Sequence, residues 1–342
     1  ALIYEDQHLS YGDLASRSNQ LARYLIERGV GPDAVVAILL DRSFEMIVAM
    51  LGVLKAGGAY LTLDLRSPKM RLKFIIQDSN AKIMLGTSTT VIDLSNYEKE
   101  GEIIKNPETL LLDDPVILQH ISEYPSSRIL IDEYSVKPSW ENLAYLYYTS
   151  GSTGTPKGVA FRNSSYLNVI QWKHHEMPDG PSQSILQYSS LGFDASALEI
   201  ASALAFGGTL VLVSELERGD GINLVKIFKK QKIDHSFAPF VVLSNLADSW
   251  HITDQAAWPE KIWTSGEQLK ITPAIRSVFL RNPTSRLYNF YGPTETHCVT
   301  SHPLANDPRE WQEFPPIGRP ILNTQLYILD PTLTPVPGWY CR

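Results

Sequence analysis

The strongest constraint on the fold of this chain is a strand, helix, strand rhythm that begins at Val35. A β-rich run, Val35 to Leu40, is followed by apolar residues at helical spacing from Phe44 to Leu54, and then by a second β-rich run, Tyr60 to Leu65. Ser43 suits the N-cap of this helix, and Gly57-Gly58 suits its end. The rhythm predicts two parallel strands in a sheet that is covered by helices.

The same rhythm returns in the second half of the chain. Strand-like and helix-like segments alternate there over 164–174, 184–188, 197–205, 209–213, 224–230, 233–237 and 287–290. Residues 87–140 are more polar and rich in proline, so they are predicted to be loops that lead to a strand at 144–148. Residues 324–329 favour one more strand. We therefore predict an α/β protein with two layered α/β subdomains.

Composition and charge exclude several classes of function. A net charge of −7 without a basic block disfavours a nucleic-acid partner. The apolar runs are far shorter than the roughly 20 residues that cross a bilayer, and the first residues lack a secretory signal, so we expect a cytoplasmic protein without a membrane partner. Two cysteines, Cys298 and Cys341, do not support a disulfide framework or a structural metal site.

A loop rich in glycine, serine and threonine follows the predicted strand at 144–148. It reads TSGSTGTPKG and consists of Thr149, Ser150, Gly151, Ser152, Thr153, Gly154, Thr155, Pro156, Lys157 and Gly158. Glycines let backbone N–H groups approach phosphate oxygens, hydroxyls donate further hydrogen bonds, and Lys157 adds positive charge. The loop lacks the Gly-Lys-Ser/Thr ending of a Walker A motif. It predicts a polyphosphate site, and the alternative is a solvated turn.

This loop, together with the strand before it, reads LAYLYYTSGSTGTPKG and resembles the phosphate-loop signature of the adenylate-forming superfamily in its peptide-synthetase form. Four further segments resemble core motifs of amino-acid adenylation domains in the same order. They are LSYGDL at 9–14, LKAGGAYLTLD at 54–64, FDAS at 193–196 and NFYGPTE at 289–295. The resemblance covers essentially the whole chain. It implies the N-terminal core of a nonribosomal peptide synthetase adenylation domain, with a small β-barrel-like subdomain beside the two α/β subdomains.

The resemblance also implies a reaction. Such domains join an amino-acid carboxylate to the α-phosphate of ATP with Mg²⁺, then pass the acyl group to the phosphopantetheine thiol of a carrier (thiolation) domain. Partners would be the carrier and condensation domains of a multi-domain synthetase, and in some cases a small activator protein. The implied domain division is about 1–165 for the first α/β region, about 166–300 for the second, and about 301–342 for the start of the β subdomain.

The NFYGPTE segment implies most of the nucleotide site. Asn289 matches the residue that recognises the adenine edge, and Tyr291 matches the ring stacked on adenine. Thr294 matches a contact to the α-phosphate, and Glu295 matches the magnesium ligand. Lys157, Thr294 and Glu295 are the predicted catalytic residues, and Gly266, Glu267, Phe290 and Gly292 complete the predicted ATP site. Taken alone, this segment would be read as a turn with a solvated glutamate.

Asp194 is the residue that bears most directly on the substrate. Ser196 to Glu199 fits a Ser-x-x-Glu capping box, which leaves Asp194 just outside the helix. In the family the matching aspartate pairs with the α-ammonium group of the substrate. The predicted substrate pocket consists of Asp194, Ala195, Leu198, Ser236, Trp263, Ser265, Phe290, Cys298 and Val299. Because only Asp194 is charged, we predict a neutral amino acid, with a short, hydroxyl-bearing or aromatic side chain.

The chain departs from the family at its end. The mobile C-terminal subdomain of the family, with its catalytic lysine, is not found within these 342 residues. We therefore expect this core to bind ligands better than it turns them over. Two alternatives remain: an acyl- or aryl-CoA ligase of the same superfamily, which should lack the acid at position 194, and a binding module with little turnover.

Overall fold

The computed structural model describes residues 1–95, 107–150, 154–178, 180–253 and 257–336. Its helices are α1 Tyr11–Glu27, α2 Phe44–Lys55, α3 Lys69–Asp78, α4 Ser88–Ser95, α5 Pro115–Glu123, α6 Asn163–Glu176, α7 Asp194–Ala205, α8 Glu215–Arg218, α9 Gly221–Lys230, α10 Phe240–Ile252 and α11 Pro273–Arg281. Its strands are β1 Leu2–Tyr4, β2 Gln7–Leu9, β3 Val35–Leu39, β4 Ala59–Thr62, β5 Ile83–Gly86, β6 Glu108–Leu111, β7 Leu143–Thr149, β8 Lys157–Arg162, β9 Ser184–Gln187, β10 Thr209–Leu212, β11 His235–Phe237, β12 Lys261–Thr264, β13 Arg286–Tyr291, β14 Thr300–Pro303 and β15 Arg319–Pro320.

The first part of the chain builds a six-stranded sheet in the order β6-β5-β3-β4-β7-β8 within the described residues. Strands β3 and β4 pair in parallel across α2, as the initial rhythm predicts. The Ser43 side chain accepts a hydrogen bond from the Met46 backbone N–H at 3.1 Å, which caps α2 as expected. Strand β8 is the exception, because it folds back antiparallel on β7.

The second part builds a nine-stranded sheet in the order β15-β14-β13-β12-β11-β9-β10-β1-β2, again counting the described residues. Strands β13, β12, β11, β9 and β10 are parallel neighbours, so their carboxyl ends lie along one edge. The first strand of the chain joins this later sheet, since β1 pairs in parallel with β10.

One core joins the two sheets. Buried side chains of the six-stranded sheet, such as Tyr60 and Tyr145, share an apolar cluster with Ile185 and Leu210 of the nine-stranded sheet and with helices α1, α2 and α7. A second cluster, with Trp263 and Phe290 at its centre, fills the other side of the nine-stranded sheet. The fold is thus layered α/β, as predicted, and the barrel-like subdomain and the domain boundaries stay predictions.

Two local predictions were wrong. Residues 87–140 are not only loops, because they include α4, α5 and the strand β6, which pairs with β5. Residues 324–329 do not form the predicted strand, and the backbone pairs there only at an isolated bridge between Leu329 and Pro335. Finally, none of the helices in the described ranges is long and apolar enough to span a membrane.

Candidate functional site

The glycine-rich loop lies between the antiparallel strands β7 and β8. Thr149 at the end of β7 pairs with Lys157 at the start of β8, so the loop is the connection of a hairpin. Gly154 has a φ of 81°, which favours glycine, and the Lys157 side chain is exposed. Gly151, Ser152 and Thr153 lie outside the described residues. The hairpin brings a lysine next to hydroxyl groups at one exposed end of the six-stranded sheet.

Next to this hairpin is a cavity of about 680 Å³. Thr149 at the end of β7 and Ser150 after it line the cavity, together with Phe193 from the loop before α7 and Thr294 from the turn after β13. Residues from the end of β4 and the start of α3 form the opposite wall. The cavity brings together three predicted ATP-site hydroxyls, since Thr294 joins the adjacent Thr149 and Ser150 although it is far from them in the sequence.

The turn from Tyr291 to Val299 connects β13 to β14. It is closed by a hydrogen bond from the Val299 N–H to the Tyr291 carbonyl at 2.8 Å. Gly292 is required in this turn, because a Cβ there would lie 1.6 Å from the His297 carbonyl oxygen. Tyr291 is 48% exposed. The Asn289 side chain is buried, and its amide donates to the Pro316 carbonyl at 2.9 Å.

Glu295 and the residues after it face a second cavity, of about 880 Å³. Glu295, Cys298 and Val299 line it together with Phe161 of β8 and Asn168 of α6. The turn therefore lies between the two cavities. The described residues contain no cluster of three or more His, Cys, Asp or Glu side chains. One exposed carboxylate fits Mg²⁺ bound mainly through substrate phosphates and water, which is the usual arrangement for this ion.

Asp194 is the first residue of α7, and its side chain is half-buried. It lies close enough to raise the pKa of the Cys298 thiol, which is shifted upwards first by burial and then by this carboxylate. The predicted capping box at Ser196 was wrong. The Ser196 hydroxyl donates to the Phe193 carbonyl at 2.7 Å and lies 3.1 Å from the Tyr147 hydroxyl, while Glu199 points elsewhere.

Glu199 organises the loop that leads to Asp194. It is fully buried, and its carboxylate accepts hydrogen bonds from the backbone N–H groups of Tyr188 and Ser189, the Ser189 hydroxyl and the Gln187 amide at 2.9 to 3.2 Å. Burial raises the pKa of Glu199 to about 7, against the opposing effect of these hydrogen bonds and of Arg42. The local capping box is lost because these buried donors bind the carboxylate instead.

Arg42 fixes the same loop from the other sheet. Its buried guanidinium donates to the Gln187 side chain at 2.6 Å and to the Ser189 carbonyl at 2.5 Å, and it also pairs with Glu215. Burial lowers the pKa of this guanidinium to about 10, so it stays charged at neutral pH. Because Arg42 follows β3, it connects the six-stranded sheet to the loop before α7.

The raised pKa of Glu199 predicts a pH dependence of stability. A carboxyl group whose pKa is higher in the folded state stabilises the fold below its unfolded pKa and loses this contribution as pH rises through the folded value. The free energy of unfolding should therefore decline from about pH 4.5 to about pH 7. Glu199→Gln should lack this decline, since its amide does not ionise. Urea denaturation of both proteins across this range tests the prediction, and parallel curves would contradict it.

Large aromatic side chains pack against one another among the residues predicted to form the substrate pocket. Trp263 and Phe290 are almost fully buried, with ring centroids 5.6 Å apart. Phe237 lies 4.4 Å from Trp263 and shares its face, because the two residues pair across β11 and β12. Ser236 pairs with Ile262, so the strand alternation turns it to the opposite face. The structure therefore does not bring Ser236 to this aromatic cluster, and Phe237 takes that place.

The remaining predicted pocket residues lie on three neighbouring elements. Ala195 and Leu198 are buried on the first turns of α7, and Cys298 is buried in the turn before β14. Ser265 and Val299 are half-buried at the ends of their strands. Gly266 and Glu267 are exposed after β12, and the Glu267 carboxylate accepts from the Val241 N–H at 3.4 Å, at the start of α10.

Two residues of the site were missed from the sequence, Phe237 and His297. Successive residues of β11 point to opposite faces of the sheet, and this alternation could have identified Phe237. Which of the residues face Trp263, however, is decided by the pairing of β11 with β12, and the sequence does not show that pairing. His297 is buried in the turn after Glu295 with a φ of 58°. No periodic pattern or local motif marks it in the sequence.

Comparison with known proteins agrees with this geometry. A model of the AMP-binding enzyme family matches residues 1–340. The chain is 34% identical to gramicidin S synthase 2 of Brevibacillus brevis over 331 residues and 37% identical to bacitracin synthase 3 of Bacillus licheniformis over 347 residues. It covers 7% and 5% of the lengths of these two relatives, so it spans a small part of each.

Solved structures give the same result. The nonribosomal peptide synthetase FmoA3 is 26% identical to this chain and superposes on it with a TM-score of 0.83. The superposition covers 99% of this chain and 34% of the FmoA3 chain. A form of FmoA3 with α-methyl-L-serine-AMP bound superposes with a TM-score of 0.84, and the superposition covers 99% of this chain and 36% of that FmoA3 chain. These matches confirm the resemblance found in the sequence. The chain belongs to the AMP-binding enzyme family and is similar over nearly its whole length to the adenylation regions of nonribosomal peptide synthetases.

Proposed function

We propose that this protein binds ATP with Mg²⁺ and a neutral α-amino acid, and activates the amino-acid carboxylate as aminoacyl-AMP. One observation carries the proposal: the turn that follows β13 contributes Thr294 to the cavity of the glycine-rich hairpin, and the same turn contacts the first residue of α7, Asp194. A phosphate site and an ammonium site therefore adjoin one turn. The synthetase relatives of the chain support the same activity.

The nucleotide half of the proposed site uses the hairpin and the turn. Tyr291 offers a partly exposed ring for the adenine, and Asn289 lies two residues before it. The hydroxyls of Thr149, Ser150 and Thr294 donate to phosphate oxygens in the 680 Å³ cavity, and Lys157, which pairs with Thr149 across the hairpin, adds positive charge. Mg²⁺ bound at Glu295 would neutralise charge on the phosphate oxygens.

The reaction requires two anions to meet. A carboxylate oxygen of the amino acid attacks the α-phosphorus of ATP, the bond to the β-phosphate oxygen breaks, and pyrophosphate leaves. Asp194 holds the α-ammonium group and so orients the carboxylate. Thr294 and Lys157 offset negative charge where it increases on the phosphate oxygens.

The substrate side chain would meet an apolar wall. Trp263, Phe290 and Phe237 are closely packed and buried, so they leave little room beside α7. No charged side chain other than Asp194 belongs to the proposed pocket, and a charged substrate would stay unpaired. We therefore favour a neutral amino acid with a short side chain, such as alanine or serine, over a large aromatic one. Delivery to a phosphopantetheine thiol, with carrier and condensation domains as partners, is proposed for the longer synthetase.

Thermal melting with a panel of non-hydrolysable aminoacyl-adenylate analogues tests the proposal without requiring turnover. A ligand that binds only the folded state at 100 times its Kd raises the free energy of unfolding by about 2.7 kcal/mol. Alanyl and seryl analogues should raise the melting temperature more than phenylalanyl, lysyl or glutamyl ones. Stabilisation by acyl or aryl adenylates without an amino group would instead indicate a CoA ligase, and no response to any adenylate would refute the proposal.

A further inference from the structure

His297 has an unusual position in the turn between β13 and β14. It is 2% exposed and adopts a φ of 58°, in the left-handed region that disfavours residues with a Cβ. Glycine would adopt this conformation at lower cost, and asparagine, aspartate and histidine all tolerate it better than other residues. The conformation alone therefore does not explain a histidine here, and its ring contacts do.

Both ring nitrogens have a polar partner. The Cys298 backbone N–H donates to Nδ1 at 2.8 Å, so Nδ1 carries no proton. Nε2 lies 3.2 Å from the backbone carbonyl oxygen of Asp194. A neutral imidazole has one donor and one acceptor nitrogen. The proton must therefore be on Nε2, which donates to the Asp194 carbonyl.

The ring also touches the hairpin that carries the glycine-rich loop. Its centroid lies 5.9 Å from that of Phe161 in β8, which begins at Lys157. One side chain thus contacts the start of α7, the strand after the loop and its own turn, which carries Thr294 and Glu295. These are the three segments that supply the residues of the proposed site.

We propose that His297 is a positioning residue, which holds the first residue of α7 against the turn so that the Asp194 carboxylate faces the α-ammonium group of the substrate. This inference rests on the proposed function, because it assigns His297 to the amino-acid half of that site. His297 does not touch the reacting atoms. Its effect on the substrate passes through the Asp194 backbone.

Two substitutions distinguish the roles of the two ring nitrogens. His297→Gln places an amide N–H near the position of Nε2 and keeps the donor to Asp194. His297→Asn is shorter, suits a positive φ, and keeps an acceptor near Nδ1 without reaching the Asp194 carbonyl. The measurement is the Kd of a non-hydrolysable seryl-adenylate analogue, of the same analogue without its amino group, and of AMP, by calorimetry on wild type and both variants.

His297→Asn should raise the Kd of the aminoacyl analogue about fivefold, as expected for the loss of one hydrogen bond of about 1 kcal/mol. The Kd values of the other two ligands should change less than about twofold. His297→Gln should stay within about twofold of wild type for all three. An equal loss for all three ligands, or the same loss in both variants, would reduce His297 to a structural residue and overturn the inference. If the wild type binds AMP but binds the analogues with and without the amino group equally well, the proposed function is overturned instead, and this inference with it.

A second measurement applies even if a variant fails to fold. In the ¹⁵N and ¹H NMR spectrum of the wild type, the ring of His297 should be neutral, with its proton on Nε2. That proton should exchange slowly with solvent, as expected for a buried donor. A proton on Nδ1 of His297 would contradict the proposed hydrogen bond.

Discussion

Replacing Arg42 by alanine is expected to lower the free energy of unfolding by about 3 to 5 kcal/mol, the usual effect of removing one partner from a buried charged cluster. The substitution leaves the Gln187 side-chain oxygen without its Arg42 donor and removes one of the two donors to the Ser189 carbonyl, the other being the Gln187 amide. It also removes one of the three cations that pair with Glu215, since Arg66 and Arg218 remain. It also removes a positive charge near the buried Glu199. Urea denaturation followed by fluorescence measures the change.

Two controls accompany this substitution. Arg42→Lys keeps the charge but lacks the planar fork that reaches several acceptors, so it should lose part of the stability. Arg309→Ala breaks an exposed pair with Asp307 and should leave the denaturation midpoint unchanged within error. A stable Arg42→Ala protein would mean that the link between the two sheets through Arg42 contributes little.

Replacing Asp194 by alanine is expected to weaken binding of an aminoacyl-adenylate analogue by about 10- to 150-fold, which corresponds to a charge-assisted hydrogen bond of about 1.5 to 3 kcal/mol. AMP binding should change less than about twofold, because AMP has no ammonium group. Asp194 is half-buried at the start of α7, so its removal should not unfold the protein. Calorimetric titration of both ligands measures the difference.

Asp194→Asn is the matched variant, since it keeps the shape and removes the charge. It should lose most of the affinity that alanine loses. Asp6→Ala is the neutral control, because the Asp6 side chain is 91% exposed and lies away from the proposed site. If Asp194→Ala bound the analogue as tightly as wild type, the ammonium group would have to be held by another residue.

The sequence predicts those parts of the fold whose signals are local. The run from Val35 to Leu65 has the periods of a strand, a helix and a strand, and Ser43 caps the helix as its side chain suggests. The loop from Thr149 to Gly158 stands out because its residue types suit phosphate binding, and its strands β7 and β8 form a hairpin, while its phosphate role stays a prediction. Such features depend on neighbours in the chain and so can be read from it.

The remaining features depend on contacts between distant segments. Ser196 and Glu199 have the spacing of a capping box, yet the buried donors at residues 187–189 bind the Glu199 carboxylate. Ser236 and Phe237 are adjacent, and only the pairing with β12 decides which of them faces Trp263. The role proposed for His297 requires the Asp194 backbone, which is 103 residues earlier.

The pairing of the first strand with β10 affects how the protein can fold during synthesis. Leu2 finds its partner Leu210 only after roughly 200 further residues have been made, which takes about 10 to 40 seconds at usual rates of translation. Throughout that interval β1 can pair with β2, but its other neighbour in the sheet has not been made. The hairpin of β1 and β2 must therefore remain without β10 while the six-stranded sheet is completed. Among the strands of the nine-stranded sheet, β1 and β2 would therefore be accessible to ribosome-associated chaperones for the longest time.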